Sequence, residues 1–291
     1  MKFQRDYILT IGVSDTETVT IKYPLTLHFD VARSNLSSMN AGHLTIINLG
    51  ESTRKKIFHD RWDTPTFRPV LLQAGYVGQN PLPVIFGGNI LCAYSFKRGA
   101  EWVTDIEAQD GLFAVVNSQI DQSIPAGAGL GQIISTLMGS MTGGHVTPGA
   151  IGSMERDSSR GTVLTGNSWD LLQKLVNDQG GSAFIDQGKV HAIGRDEYIE
   201  GLDGIPLISS ATGLKKAQRK YKGRIDVEMI FEPRLSIGQQ VELQSAEPEN
   251  NGDYQVAGVH HVGTISGTVD GGVTTDVQLW DGGGVLTGVS L

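Results

Sequence analysis

A run of strict alternation near the start constrains this chain more than any other feature. From Lys22 onward, Leu25, Leu27, Phe29 and Val31 fall on one parity, and Thr26, His28 and Asp30 fall on the other. Successive side chains of a strand point to opposite faces, so a period of two over this length predicts a half-buried β-strand. Leu44-Thr45-Ile46-Ile47 follows, and Asn48-Leu49-Gly50 ends it. Glu51–His59 suits a short helix, with acid at its start and bases behind, as the helix dipole favours. Strands are expected again at Pro69–Tyr76, Val84–Phe86, Asn89–Lys97 and Glu101–Gln109. Arg98-Gly99-Ala100 would join the last two as a hairpin, and Asp110-Gly111 is a stop signal.

The pattern then changes. Gln132–Met138 carries Ile133, Ile134, Leu137 and Met138 at helical spacing. A second helix is expected over Trp169–Asp178, with Ser168 as its cap and Trp169, Leu172 and Val176 recurring every three to four residues. Ala183–Asp186 and Lys189–Ile193, separated by Gln187-Gly188, read as a hairpin. The last third returns to strands at Ile225–Phe231, Gln240–Gln244, Tyr254–Val262 and Val273–Trp280. Turn residues separate them, among them Pro233, Gly238, Pro248, Asn250-Asn251-Gly252 and Asp270-Gly271-Gly272. The expected fold is mainly β with an α+β insertion, divided at 1–111, 112–208 and 209–291. Two β segments flanking an insertion are read as two barrel-like units.

Composition narrows the function. The 291 residues accommodate two or three units. Gly supplies 38 of them, about 13% against an average near 7%. Basic residues number 23 and acidic residues 31, a net −8, so a general nucleic-acid binder is disfavoured. Cys92 is the single cysteine and has no partner for an internal disulfide. No secretion signal is read at the start, and no apolar run reaches the ~18 residues of a membrane span.

Several constellations invite a chemical reading. His260 and His261 are adjacent in an expected strand, so they face opposite sides and one ion could not readily take both. One is expected to be packed and the other to lie at a surface; no metal and no cofactor is expected. Asp105 and Glu107 share a strand face about 6.6 Å apart, with Glu101 on the same parity. That overlaps the separation of paired carboxylates on a glycosidic bond, and it is equally ordinary on a solvated strand. Gly127-Ala128-Gly129-Leu130-Gly131 lacks the Lys-Ser/Thr ending of a phosphate loop and reads as the flexible lead into a helix. Lys215, Lys216, Arg219, Lys220, Lys222 and Arg224 put six bases within ten residues, either a solvated loop or a docking patch for an acidic partner. Cys92 reads as a small buried hydrophobe.

Taken in order, many of these segments resemble one family. The opening runs Leu27-His28-Phe29-Asp30-Val31, Ile46-Ile47-Asn48-Leu49 and Thr53-Arg54. Ala74-Gly75-Tyr76, Ile85-Phe86-Gly87-Gly88-Asn89-Ile90 and Asp110-Gly111 follow. The close runs Ala211-Thr212-Gly213-Leu214, Leu235-Ser236-Ile237-Gly238, Val241-Glu242-Leu243, Gly252-Asp253-Tyr254-Gln255-Val256, Val259-His260-His261-Val262-Gly263 and a final Thr275–Trp280 strand. Their order and spacing are similar to phage tail baseplate hub proteins of the late control protein D type, relatives of the N-terminal part of type VI secretion spikes.

The resemblance implies two tube-like β-barrels per subunit around an α+β portion, and a homotrimer whose six barrels form a ring. Such a ring would adapt a six-fold tail tube to a three-fold central spike and leave a channel for DNA. Strands left open at barrel edges could pair between subunits. Asp30, Asp105 and Glu107 are lumen candidates by strand parity, where they would repel passing DNA. Partners would be the tail tube protein and a spike on a separate chain, since no needle repeat and no fused muramidase is seen. The expected location is the virion baseplate, after assembly in the host cytoplasm. A glycan hydrolase using Asp105 and Glu107, and a distal-tail or tube ring of the same lineage, are the alternative readings.

Overall fold

The computed structural model describes residues 4–14, 16–35, 39–62, 67–153, 161–200, 206–219, 223–268, 271–282 and 285–290. The first β portion contains β1 (Arg5–Gly12), β2 (Thr18–Lys22), β3 (Leu27–Ser34), β4 (Ala41–Ile47), α1 (Glu51–Ile57), β5 (Pro69–Tyr76), β6 (Val84–Arg98) and β7 (Glu101–Gln109). The middle holds α2 (Leu112–Asn117), β8 (Gln119–Ile124), α3 (Leu130–Ser140), β9 (Thr147–Ile151), β10 (Thr162–Asn167), α4 (Ser168–Asn177), β11 (Ser182–Asp186), β12 (Lys189–Ile193) and β13 (Glu197–Ile199). The last part holds β14 (Leu207–Ser209), β15 (Leu214–Arg219), β16 (Arg224–Ile230), β17 (Gln240–Gln244), β18 (Gly252–Ile265), β19 (Val273–Trp280) and β20 (Thr287–Val289).

The alternation in β3 does what its period requires: Leu27, Phe29 and Val31 are buried while His28, Asp30 and Ala32 are exposed. β6 runs unbroken where two strands were expected, because Gly87 and Gly88 stay in the ladder opposite Leu71 and Val70. A side chain at Gly88 would meet the Gln109 carbonyl oxygen at 2.8 Å, so only glycine lets the two backbones approach there.

The two β portions form one sheet. Its strand order is β15-β16-β19-β18-β3-β4-β7-β6-β5-β1-β2, with β17 beside β18 and β14 beside β17. The joining element is β18. One edge of it pairs with β19; on the other, its start pairs with β17 and Gly258–Ile265 pairs antiparallel with β3. The change of neighbour falls at a register shift between Val256 and Gly258, and such a bulge bends a strand. Two separate barrels were expected. Among the described residues, however, the ladder is shared and does not close into a ring, leaving β15 and β2 as its ends.

Apolar residues collect in distinct clusters. One lies within the first β portion and is completed by Phe231, Ile265 and Val273 from the last third. A second gathers the faces of α3 and α4, including Ile134, Leu137, Trp169, Leu172 and Val176. A third packs β16 to β19 through Val227, Met229, Val241, Val256 and Leu279. The cap of α4 is Asn167 rather than Ser168: its side-chain oxygen accepts from the N–H groups of Trp169 and Asp170, at 2.9 and 3.1 Å. Ser168 is buried instead, and its hydroxyl accepts from Ser140 Oγ at 2.8 Å, tying the end of α3 to the start of α4.

Candidate assembly surface

The outward face of the sheet carries a row of ionisable side chains. Asp30 on β3 stands opposite His43 on β4, and His43 stands opposite Glu107 on β7. On the other side of β3, His260 on β18 places Nε2 2.8 Å from Asp30 Oδ1 and Nδ1 3.7 Å from Asp276 Oδ2 on β19. Asp276 faces Glu228 on β16, which faces Lys216 on β15. One line of side chains therefore crosses seven strands, because cross-strand partners share a face of the pleat.

Asp105 belongs to the same face and accepts from Thr45 Oγ1 at 2.6 Å. Glu107 pairs with Arg61 and is about half exposed, as is its partner. Sequence parity thus brought Asp30, Asp105 and Glu107 together. It overlooked His43, Glu228 and Asp276, whose alternation within their own strands was a sufficient signal. Asp105 and Glu107 stand on an open face, and neither lines any of four cavities of about 310 to 570 Å³. A glycosidase pair needs the opposite, a cleft around the sugar.

The described members of the basic cluster lie on two antiparallel strands. Lys215, Lys216 and Arg219 lie on β15, which pairs only with β16, and Arg224 begins β16; Lys220 and Lys222 lie outside the described residues. Lys215 reaches Glu228 at 3.4 Å, Arg219 reaches Asp281 at 3.9 Å, and Arg224 Nε reaches Asp226 at 2.6 Å. Exposed pairs of this kind contribute about 0–1 kcal/mol each, so they leave the bases available to a competing partner.

His260 and His261 do face opposite sides. His261 is fully buried, edge-on to Phe231, with Nδ1 2.9 Å from Thr275 Oγ1; burial holds it well below the usual histidine range. Among the described residues no cluster of three metal-ligating side chains occurs. Cys92 is buried and burial pushes its thiol up. Gly127 to Gly129 form the turn that leads into α3.

One constellation has no trace in the sequence pattern. Arg33 on β3 is buried and donates to Asp186 at 3.3 Å and to the Leu235 carbonyl at 2.7 Å. Asn40 donates to the Ile185 carbonyl and to Asp186. Asp110 accepts from Gly188 N–H at 3.1 Å, and burial, with Asp186 nearby, raises its carboxyl to about 7. Burial also raises Asp186, against the pull of Arg33. These residues bring the first β portion, the β11–β12 turn and the segment before β17 to one buried point.

The family model for baseplate hub gp41 matches residues 8–261. The chain belongs to this baseplate hub family. The hub is accordingly a structural component of a phage tail. No curated protein matches it. Among solved structures, the 43 kDa tail protein of prophage MuSo2 from Shewanella oneidensis is 9% identical, with a TM-score of 0.61 over 95% of the hub and 98% of that chain. The tail protein of Neisseria meningitidis MC58 is 10% identical, with a TM-score of 0.61 over 96% and 98%. The E. coli c3393 protein, a type VI secretion component, is 10% identical, with a TM-score of 0.54 over 88% of the hub and 74% of that chain. At these identities the likeness is one of fold. No helix among the described residues is long and apolar enough to cross a membrane.

Proposed function

We propose that this hub forms a homotrimeric ring that adapts a six-fold tail tube to a three-fold central spike, with a channel for DNA and no catalysis of its own. In this reading the chain has three units, 1–111, 112–208 and 209–291, and each end of the sheet curves into a tube-like half. The observation that carries it is the pairing of both β portions on β18, which fixes two β units of one chain in a set relation. Separate apolar clusters at the two ends support a unit at each. Three copies then offer six β units to the tube and a three-fold face to the spike.

The row from Glu228 to Glu107 would line the channel, with Asp30, Asp105 and Glu107 among its acids. At −8 per chain the trimer carries −24, and a lumen of that sign repels a polyanion instead of holding it. Lys215, Lys216, Arg219 and Arg224, together with Lys220 and Lys222, would dock an acidic face of a partner. Assembly would take place in the host cytoplasm and the product would reside in the virion baseplate. Light-scattering mass of the purified chain, with and without a candidate spike protein, tests the reading. The expected species is about 94 kDa, three times 31.2 kDa. A chain that remains monomeric with tube and spike proteins both present refutes it.

A further inference from the structure

A cavity of about 490 Å³ opens where the end of α4 and the start of β11 meet β18 and β19. Its wall includes Arg195, Trp280, Asn35, Asn177 and Gln278, and no carboxylate lines it, in a chain that carries a net −8. The guanidinium of Arg195 lies 4.5 Å over the Trp280 ring and has no carboxylate partner among the described residues. The second arginine of the wall, Arg224, pairs with Asp226 at 2.6 Å, whereas Arg195 has no such pair among the described residues. Two residues of the wall each carry a buried polar atom without a partner: Trp280 Nε1, a donor, and Asn35 Oδ1, an acceptor. Asn35 as a whole is only 8% exposed. Buried polar atoms are almost always paired, and the unpaired Trp280 Nε1 belongs to the same ring that Arg195 covers.

We propose that this cavity receives an acidic side chain from a segment of a partner protein. The carboxylate would accept from Arg195 and, as the stacked guanidinium shifts onto it, from Trp280 Nε1. Asn35 Oδ1 would accept a main-chain N–H of the same segment. A guanidinium held over an indole loses little freedom on binding, and its planar set of donors suits recognition of a carboxylate. The protein nature of the occupant rests on the assembly role argued above; the carboxylate chemistry rests on the cavity alone.

The test uses the full chain labelled with 5-fluorotryptophan. Its four tryptophans give four fluorine signals, and Trp280→Phe identifies the one that reports the cavity. The probes are N-acetylglutamate N-methylamide, its glutamine counterpart, and sodium acetate. The glutamate probe should move the Trp280 signal saturably, at least tenfold more tightly than the glutamine probe or acetate. Arg195→Gln, an exposed position, should abolish that response without changing the circular dichroism or the melting temperature. Three results would each overturn the proposal: no saturable shift, an equal response to glutamine or acetate, or an undiminished response in Arg195→Gln. Light-scattering mass on the same samples separates the two readings. A ring that ignores the probe rejects the cavity alone, and a chain that takes the probe but never assembles rejects the ring alone.

Discussion

Replacing Arg33 by methionine keeps the length of the side chain, removes its charge, and leaves Asp186 buried without its cation. The wild-type pair is 3.3 Å apart, with the two side chains 1% and 8% exposed, so solvent cannot take over the role of the guanidinium. Removing one member of a buried pair costs about 3–5 kcal/mol, because the remaining charge is uncompensated. The Leu235 carbonyl loses its donor as well, while Asn40 still donates to Asp186 at 3.1 Å and softens the loss. A destabilisation of about 4 kcal/mol is expected at neutral pH, equivalent to roughly 10 °C in melting temperature for a chain of this size. The stranded carboxylate can escape its penalty by binding a proton. Burial already raises Asp186, and for a raised acid the stabilising state is the protonated one, present in full below its unfolded pKa and lost as pH rises through the folded value. The Arg33→Met deficit should therefore shrink as pH falls towards 4. The double variant Arg33→Met/Asp186→Leu should recover most of it, since no charge remains to be buried. Urea unfolding followed by tryptophan fluorescence at several pH values reads all three. A deficit below about 1 kcal/mol at pH 7, or a double variant as damaged as the single one, would refute the reasoning.

Asp110 sits in the same junction and should make stability fall with pH on its own account. Its carboxyl moves from 3.8 to about 7 on folding, so up to about 4 kcal/mol present near pH 4 is lost on passing through pH 7; Asp110→Asn, which can still accept from Gly188, should flatten that slope in unfolding titrations. Phe231 comes from the last third but packs with Phe29 and Tyr76 in the first core, at ring separations of 6.2 and 6.0 Å, and Phe231→Ala should cost about 3–5 kcal/mol in chemical denaturation. Reversing charge at Lys215, Lys216 and Arg219 together should change stability by under about 2 kcal/mol, since the described pairs are exposed, and should weaken co-sedimentation with a spike or tube protein; unchanged co-sedimentation would assign β15 to edge protection alone.

Period-two patterning made the half-buried strands legible, because their apolar parity survives in the sequence: β5, β7, β17 and β19 fall where they were expected, while β3 begins at Leu27, after a turn through the first residues of the alternating run. β15 escaped for the converse reason. Lys215, Lys216, Gln218 and Arg219 are exposed, and its two half-buried apolar residues, Leu214 and Ala217, stand three positions apart, so they mark no single parity to read. Its strand character comes from pairing with β16, a tertiary fact. β8 and β10 pair with each other across some forty intervening positions, and neither alone alternates strongly. The acid–histidine face was half legible. Parity places Asp30 and Glu107 outward, but only the strand order β18-β3-β4-β7 shows that they are neighbours. Arg33 and Asp186 lie 153 positions apart, and nothing local marks either as buried.

The hand-over on β18 carries a mechanical consequence. The proposed adapter between two symmetries would have to keep its two β units in fixed relation, or each would follow its own neighbour. Three constraints meet here. β18 hydrogen-bonds to β17 and to β3 from the same edge on either side of one bulge. Tyr76 Oη donates to the Phe231 carbonyl at 2.7 Å, joining the first portion to the end of β16 inside the first core. Arg33 reaches from β3 to Asp186 in the middle and to Leu235 in the last third. Rotating one β unit against the other would break ladder bonds at the bulge, pull Phe231 from its ring partners and separate a buried ion pair. Each of these is costly alone, and because they share β3 and β18 they fail together.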